Sequence, residues 1–208
     1  FQAEDAIRHV ERARGIGDVY KRQIKKDGTL WTWGNNYSGQ LGHGHQRSIS
    51  IPTKLPGSGW VGMAAGSSHS VAWQHHGAMW VWGDNYHSQL GIGYRARQSR
   101  PIQVPGNWIQ AAAGIQHVIA LKSDRTLWAW GRNGEGQRGD ASQQIAMLPV
   151  RIGKEEGWTH VAAGSMHSLG FGMTAFGLGV PTITVSWATE LPINFSCQYV
   201  LVTLNGVL

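Results

Sequence analysis

The sequence predicts an all-β fold built from small repeated sheets, and three observations predict it. Charged residues are only 14% of the 208, while glycine occurs 29 times and tryptophan 11 times. That composition suits short strands joined by tight turns and argues against a helical bundle or a disordered chain. A tryptophan-rich segment also returns at nearly constant spacing. Leu30-Trp-Thr-Trp-Gly-Asn-Asn-Tyr-Ser-Gly-Gln-Leu-Gly42 is echoed by Met79-Trp-Val-Trp-Gly-Asp-Asn-Tyr-His-Ser-Gln-Leu-Gly91 and Leu127-Trp-Ala-Trp-Gly-Arg-Asn-Gly-Glu-Gly-Gln-Arg-Gly139. Third, a second motif keeps the same beat: Ala64-Ala-Gly-Ser-Ser-His69, Ala112-Ala-Gly-Ile-Gln-His117 and Ala162-Ala-Gly-Ser-Met-His167.

Each unit reads as a set of strands. Pro52, Pro101 or Pro149 opens an extended stretch, and Trp60, Trp108 or Trp158 precedes the Ala-Ala-Gly motif. Ser70-Val-Ala-Trp73 and Val118-Ile-Ala-Leu-Lys122 are short β-prone runs. Polar turns follow them at Gln74-His-His-Gly77 and Ser123-Asp-Arg-Thr126. The equivalent first turn, Asp27-Gly28, is a strong hairpin signal because both residues tolerate positive φ. The Trp-x-Trp pair comes next, and residues two apart in a strand share a face. Two aromatics of roughly 150–250 Å² each are too much for one small sheet to hide, so each unit must pack on the next. Glycines at 34, 83 and 131 then end the strand. Several short strands at this period describe one blade of a β-propeller.

These motifs together resemble the regulator-of-chromosome-condensation repeat, which implies an incomplete β-propeller of about three four-stranded blades over residues 24–169, cut from a seven-bladed parent fold. The sequence departs from the repeat pattern at particular points. Arg125 stands at the turn glycine, Ser88 at the loop glycine, and Gly134 and Arg138 interrupt the third Asn-x-x-Gly-Gln-Leu-Gly run.

The two ends read differently from the middle. Asp18-Val-Tyr-Lys-Arg-Gln23 is the translation of GAT GTG TAT AAG AGA CAG, the transposon end used in sequencing-library preparation, and residues 2–17 follow the adapter upstream of it. Residues 1–23 are therefore expected to be translated adapter rather than native sequence, which points to a metagenomic fragment. From Gly170 onward Glu190 is the only charged residue. Shifting the reading frame across 173–191 permits another Asp-Gly, Trp-x-Trp and glycine in register, so 170–208 is expected to be a frameshifted tail.

Chemical sites are sparse. His69, His117 and His167 share one repeat phase, one per unit, which suits a structural hydrogen-bonded role rather than a shared metal. His43, His45, His75, His76 and His87 fall in turns, where metal binding would require three or four converging ligands. Cys197 is the only cysteine, so no disulfide framework forms within the chain. The few acids do not form the carboxylate pair that glycoside hydrolysis uses, and no phosphate-loop lysine follows the glycines. No catalytic residue, cofactor or metal is expected, and no apolar run reaches membrane-spanning length.

Partner binding falls to the loops. Arg95, Arg97 and Arg100 form the one dense basic loop, and Tyr37 and Tyr86 occupy matching loops after the tryptophan strands. The net charge of +6 is compatible with an acidic partner; nucleic acid is not the expected one. Loop variation on a repeated scaffold favours a non-enzymatic protein–protein interaction module. The resemblance also implies an alternative, guanine-nucleotide exchange on a small GTPase, for which no residue here is assigned.

Overall fold

The computed structural model describes residues 22–172 in full and the backbone of Lys21 and of strands at 7–9, 182–186 and 199–203. The remainder of the expected adapter segment, and of the expected out-of-frame tail beyond Gly172, lies outside the described residues. The strands are β1 (Ile7–His9), β2 (Lys21–Lys25), β3 (Leu30–Gly34), β4 (Ile49–Lys54), β5 (Trp60–Ala65), β6 (His69–Gln74), β7 (Met79–Gly83) and β8 (Gln98–Val104). They continue as β9 (Trp108–Ala113), β10 (His117–Lys122), β11 (Leu127–Gly131), β12 (Ala146–Arg151), β13 (Trp158–Ala163), β14 (Ser168–Gly172), β15 (Thr182–Ser186) and β16 (Tyr199–Thr203). Every pairing is antiparallel between chain neighbours, giving sheets β1–β4, β5–β8 and β9–β12, and the pairs β13–β14 and β15–β16. The all-β, blade-by-blade architecture is the one the repeat implies.

The motif repeat and the sheet are out of phase. The stretch from Asp27 to Trp73 supplies the two later strands of one sheet, β3 and β4, and the two earlier strands of the next, β5 and β6. Within residues 24–172 this yields two complete blades, β5–β8 and β9–β12, flanked by an outer half (β3–β4) and an inner half (β13–β14). Beside β3 the first sheet is completed by β2 and β1, so the ladder runs into the segment read as adapter. There Arg22 pairs with Thr32, in the register that Val71 holds opposite Val81 and Ile119 opposite Ala129. A buried arginine thus stands in a slot that the other blades fill with aliphatic side chains.

Pro52, Pro101 and Pro149 sit in β4, β8 and β12. Each is the last strand of its sheet, where a missing N–H breaks no ladder. Cores lie between sheets rather than within them. Met79, Val81 and Val104 of the second blade pack with Trp108, Ala111 and Trp130 of the third. Leu30 and Leu55 of the first pack with Trp60, Ala72 and Trp82 of the second. A third cluster joins Leu127 and Ile152 to Trp158 and Val161. The second and third Trp-x-Trp pairs split their duties: Trp82 and Trp130 are fully buried, whereas Trp80 and Trp128 are half-buried, as are both Trp31 and Trp33 of the first pair.

Candidate functional site

Antiparallel topology sorts the connections onto two faces. The hairpins at 26–28, 75–77 and 123–125 share one face with the links leading into β5, β9 and β13. The long loops after β3, β7 and β11 share the opposite face with the short turns after β5, β9 and β13. This second, loop face carries most of the residues singled out for partner binding.

A repeated side-chain frame holds each long loop. Asn36, Asn85 and Asn133 are fully buried. Their Oδ1 atoms accept from the backbone N–H of Leu41 at 2.9 Å, Leu90 at 3.0 Å and Arg138 at 2.8 Å. Their Nδ2 groups donate across the loop to carbonyls of His45 and Arg47, of Tyr94 and Ala96, and of Ser142. Gln40, Gln89 and Gln137 brace the near side, each Oε1 accepting a backbone N–H two residues earlier, from Ser38, His87 or Glu135. Buried amides hydrogen-bonded across a loop hold it rigidly, and here the Asn and Gln carbonyl oxygens hold the three loops alike.

The tips of those loops differ. Tyr37 is 73% exposed and Tyr86 70% exposed, with Tyr94 also presented to solvent. The third loop has Gly134 and Glu135 in place of such a ring. Arg97 reaches over to the preceding loop, its Nη1 donating to the Tyr37 carbonyl at 3.3 Å and its Nη2 lying 3.8 Å from Asp84. The structure therefore brings Arg97 and Tyr37 together from positions sixty residues apart. Arg95 and Arg100 are exposed on either side of Arg97. The Arg100 guanidinium lies against Gly44, whose N–H donates to the Ser99 carbonyl at 2.7 Å. Tyr86 meets His87 edge to face, with ring centroids 5.0 Å apart.

The histidines behave unequally. His69 and His117 are fully buried. Burial holds their imidazoles neutral, pushing His117 down to about 4 and His69, with help from the nearby Arg22 and His117 charges, down to about 3. His117 Nε2 bonds Ser168 Oγ at 3.0 Å, but neither ring nitrogen of His69 has a partner. His167 is exposed. The hydrogen-bonded role expected of all three thus describes His117; His69 departs from it because residue 118 is a valine where His117 meets Ser168, and His167 departs from it by its exposure. His43 is half-buried, bonded to Thr32 Oγ1 at 2.9 Å, so it is less solvated than a turn residue was expected to be. Among the described residues no three His, Cys, Asp or Glu side chains converge as a metal site, and no helix is long and apolar enough to cross a membrane.

On the opposite face the turn chemistry repeats as well. Asp27 Oδ1 accepts from Thr29 N–H and Oγ1, and Thr29 Oγ1 accepts from Trp31 Nε1. Asp124, Thr126 and Trp128 repeat this relay. The threonine hydroxyl and amide bonds hold both carboxyls below the ordinary aspartate range. Their role is to close a turn.

Comparison with known proteins fits this geometry. Three consecutive stretches, 27–73, 76–121 and 124–170, match the Regulator of chromosome condensation (RCC1) repeat. Protein RCC2 homolog of Xenopus laevis is 38% identical over 63 residues, 29% of this chain and 12% of that protein. The crystal structure of human WBSCR16 superposes with a TM-score of 0.69 at 20% identity, covering 89% of this chain and 50% of that one. Prp20p of Saccharomyces cerevisiae gives a TM-score of 0.66 at 22% identity, over 77% of this chain and 43% of that one. At such identities the structural likeness speaks for the fold alone, and the chain spans half or less of each of these three proteins. The three matched stretches cover most of the chain in unbroken succession, and the chain belongs to the RCC1 repeat family.

Proposed function

We propose that the loop face is a protein-interaction surface and that this part of the propeller acts by binding rather than by catalysis. One observation carries the reading: identical buried Asn–Gln frames hold three loops whose exposed tips differ. A fixed scaffold with variable tips is how rigid folds acquire partners, and exposed tyrosines beside an arginine are the residue types that anchor interfaces. Tyr37, Tyr86, Arg95, Arg97 and Arg100 are the contact residues of this reading, with Tyr94 added by its exposure. A protein partner is favoured over nucleic acid because two of the loop face's arginines are engaged by carboxylates, Arg97 by Asp84 and Arg132 by Glu135.

A second reading, nucleotide exchange on a small GTPase, draws on the structural likeness to Prp20p, which was described together with its binding to Gsp1p and histones. One experiment separates the two. Release of labelled GDP from a panel of small GTPases is measured with the chain extended to a full ring. In parallel, a captured partner is tested against a Tyr37→Ala/Tyr86→Ala variant and a control substitution at exposed Ile51 of β4. The interaction reading expects unchanged GDP release, loss of the partner in the tyrosine variant and its retention in the control. Accelerated release would overturn it in favour of exchange.

A further inference from the structure

The outer strands β4, β8 and β12 hold one place in their sheets but present different side chains there. Pairing with the tryptophan strands aligns Lys54, Gln103 and Arg151. Counting back from them matches Ser50-Ile51 to Ser99-Arg100 and to Met147-Leu148. The long loop of the preceding blade clasps the strand at this point in the same way at both inter-blade seams. Gly44 N–H donates to the Ser99 carbonyl at 2.7 Å, and Gly93 N–H to the Met147 carbonyl at 2.8 Å.

The chemistry of the two seams differs. At the first, the Arg100 guanidinium lies on Gly44, and His45 follows the clasping glycine. At the second, Leu148 lies against Gly93, and Tyr94 follows it. Met147, Leu148, Val150 and Tyr94 are between 39% and 58% exposed. The first seam closes on an identical clasp with serine and arginine, so the apolar set at the second is not required to hold blades together. An exposed apolar patch of this kind marks a contact surface.

Arg95 supplies an unmatched charge beside it. The second and third long loops hold three carboxylates, and each already faces an arginine: Asp84 with Arg97, Glu135 with Arg132 and Asp140 with Arg138. Arg95 is exposed and in no ion pair among the described residues. Burial first, and then the charges of Arg132 and Arg95 working against that of Asp84, hold His87 below the ordinary histidine range. Arg95 therefore stands over the same seam as the apolar patch.

We propose that this ledge on the outer wall docks a segment of a partner protein that carries neighbouring apolar side chains and a carboxylate. The apolar groups rest on Tyr94, Met147, Leu148 and Val150, and the carboxylate meets Arg95. The ledge is a second surface, apart from the Tyr37 and Tyr86 tips. The segment enters by its side chains rather than as an added strand, because Pro149 and a register shift interrupt β12 at this point. A second copy of the chain brings the same unmatched arginine and no free carboxylate from these loops, so charge complementarity favours a different protein.

The test pans random peptides displayed on phage against the whole chain. Recovered peptides are expected to combine apolar residues with Asp or Glu, and a synthetic copy is titrated by fluorescence anisotropy. Met147→Ser/Leu148→Arg, which copies the Ser99-Arg100 pair of the first seam, is expected to weaken binding at least tenfold despite its added positive charge. Arg95→Glu is expected to weaken it at least tenfold as well, and changing the peptide's acids to lysine should restore it. Tyr37→Ala/Tyr86→Ala should leave the affinity unchanged, which separates failure here from failure of the loop-tip reading. An empty selection, recovered peptides without acids, binding that survives Met147→Ser/Leu148→Arg, or an Arg95→Glu loss that lysine does not restore would each overturn the proposal. So would self-association, or sedimentation with phosphatidylserine vesicles, that Met147→Ser/Leu148→Arg abolishes, since the ledge would then serve a second copy or a lipid surface. If that variant loses its β signal in circular dichroism, the Arg95 charge exchange decides alone.

Discussion

Trp130 of one sheet donates its indole N–H to the backbone carbonyl of Gln89 in the sheet before it, and both groups are cut off from water. This bond joins a fully buried tryptophan of the third blade to the frame that shapes the second blade's loop. Trp130→Phe keeps most of the apolar contact but leaves the Gln89 carbonyl without its donor. An unmade buried hydrogen bond costs about 1–3 kcal/mol, whereas Trp130→Ala adds a cavity and reaches about 3–5 kcal/mol. Denaturant midpoints followed by tryptophan fluorescence should order as parent, Phe, then Ala.

His69 lacks the hydroxyl that His117 finds in Ser168, because the corresponding position in the third blade is Val118. Val118→Thr keeps nearly the same shape and places a hydroxyl where it can meet both His69 and the Gln89 carbonyl, as Ser168 meets His117 and the Gln137 carbonyl. A gain of about 1 kcal/mol is expected. The informative control is Val118→Ala, which removes methyls without adding a hydroxyl and should destabilise.

Ser88 and Arg125 adopt φ of 60° and 63°, at the phases where Gly39 and Gly28 sit at 75° and 73°. A left-handed conformation costs an L-residue about 1–2 kcal/mol, and part of that gain returns as glycine's larger unfolded-state entropy. Ser88 also buries a hydroxyl that has no partner; Arg125 is exposed. Ser88→Gly is therefore expected to stabilise by about 1 kcal/mol and Arg125→Gly by less. Equal midpoint shifts in the two variants would contradict this ordering.

Acid should loosen the interior through the two buried imidazoles. Both folded-state values are depressed, to about 3 for His69 and about 4 for His117, against about 6.5 unfolded. The unfolded chain binds more protons, so this contribution is complete above pH about 6.5 and declines as pH falls toward the folded values. His69→Gln and His117→Gln should each flatten the slope of stability against pH between about 6.5 and 4, whatever they do to stability at neutral pH.

Much of this was legible in the sequence because its punctuation is chemical. The Trp-x-Trp pairs, the Ala-Ala-Gly-x-x-His motifs and the prolines fixed the period and the strand order. Arg125 and Ser88 stood out at glycine phases, and their positive φ is the physical reason those phases want glycine. Three features were hidden. The half-blade offset was not visible, since a repeat can be cut anywhere along its period. The acceptors for Trp82 and Trp130 are main-chain carbonyls, so no side-chain pattern announces them. Arg97 meets Tyr37 only because adjacent sheets bring their loops side by side. The third unit's weakened consensus has a structural counterpart too: Arg138 takes the place of Leu41 and Leu90, is buried, and pairs with Asp140 and Ser142.

The offset between repeat and sheet bears on how such genes change in length. A duplicated or deleted unit carries the later half of one sheet and the earlier half of the next. After a deletion the two surviving halves are already matched in strand direction and register, so they can form a hybrid sheet. Recombination between units can therefore alter the number of sheets one at a time without stranding an edge, which leaves the lineage free to vary its circumference while keeping every junction sound.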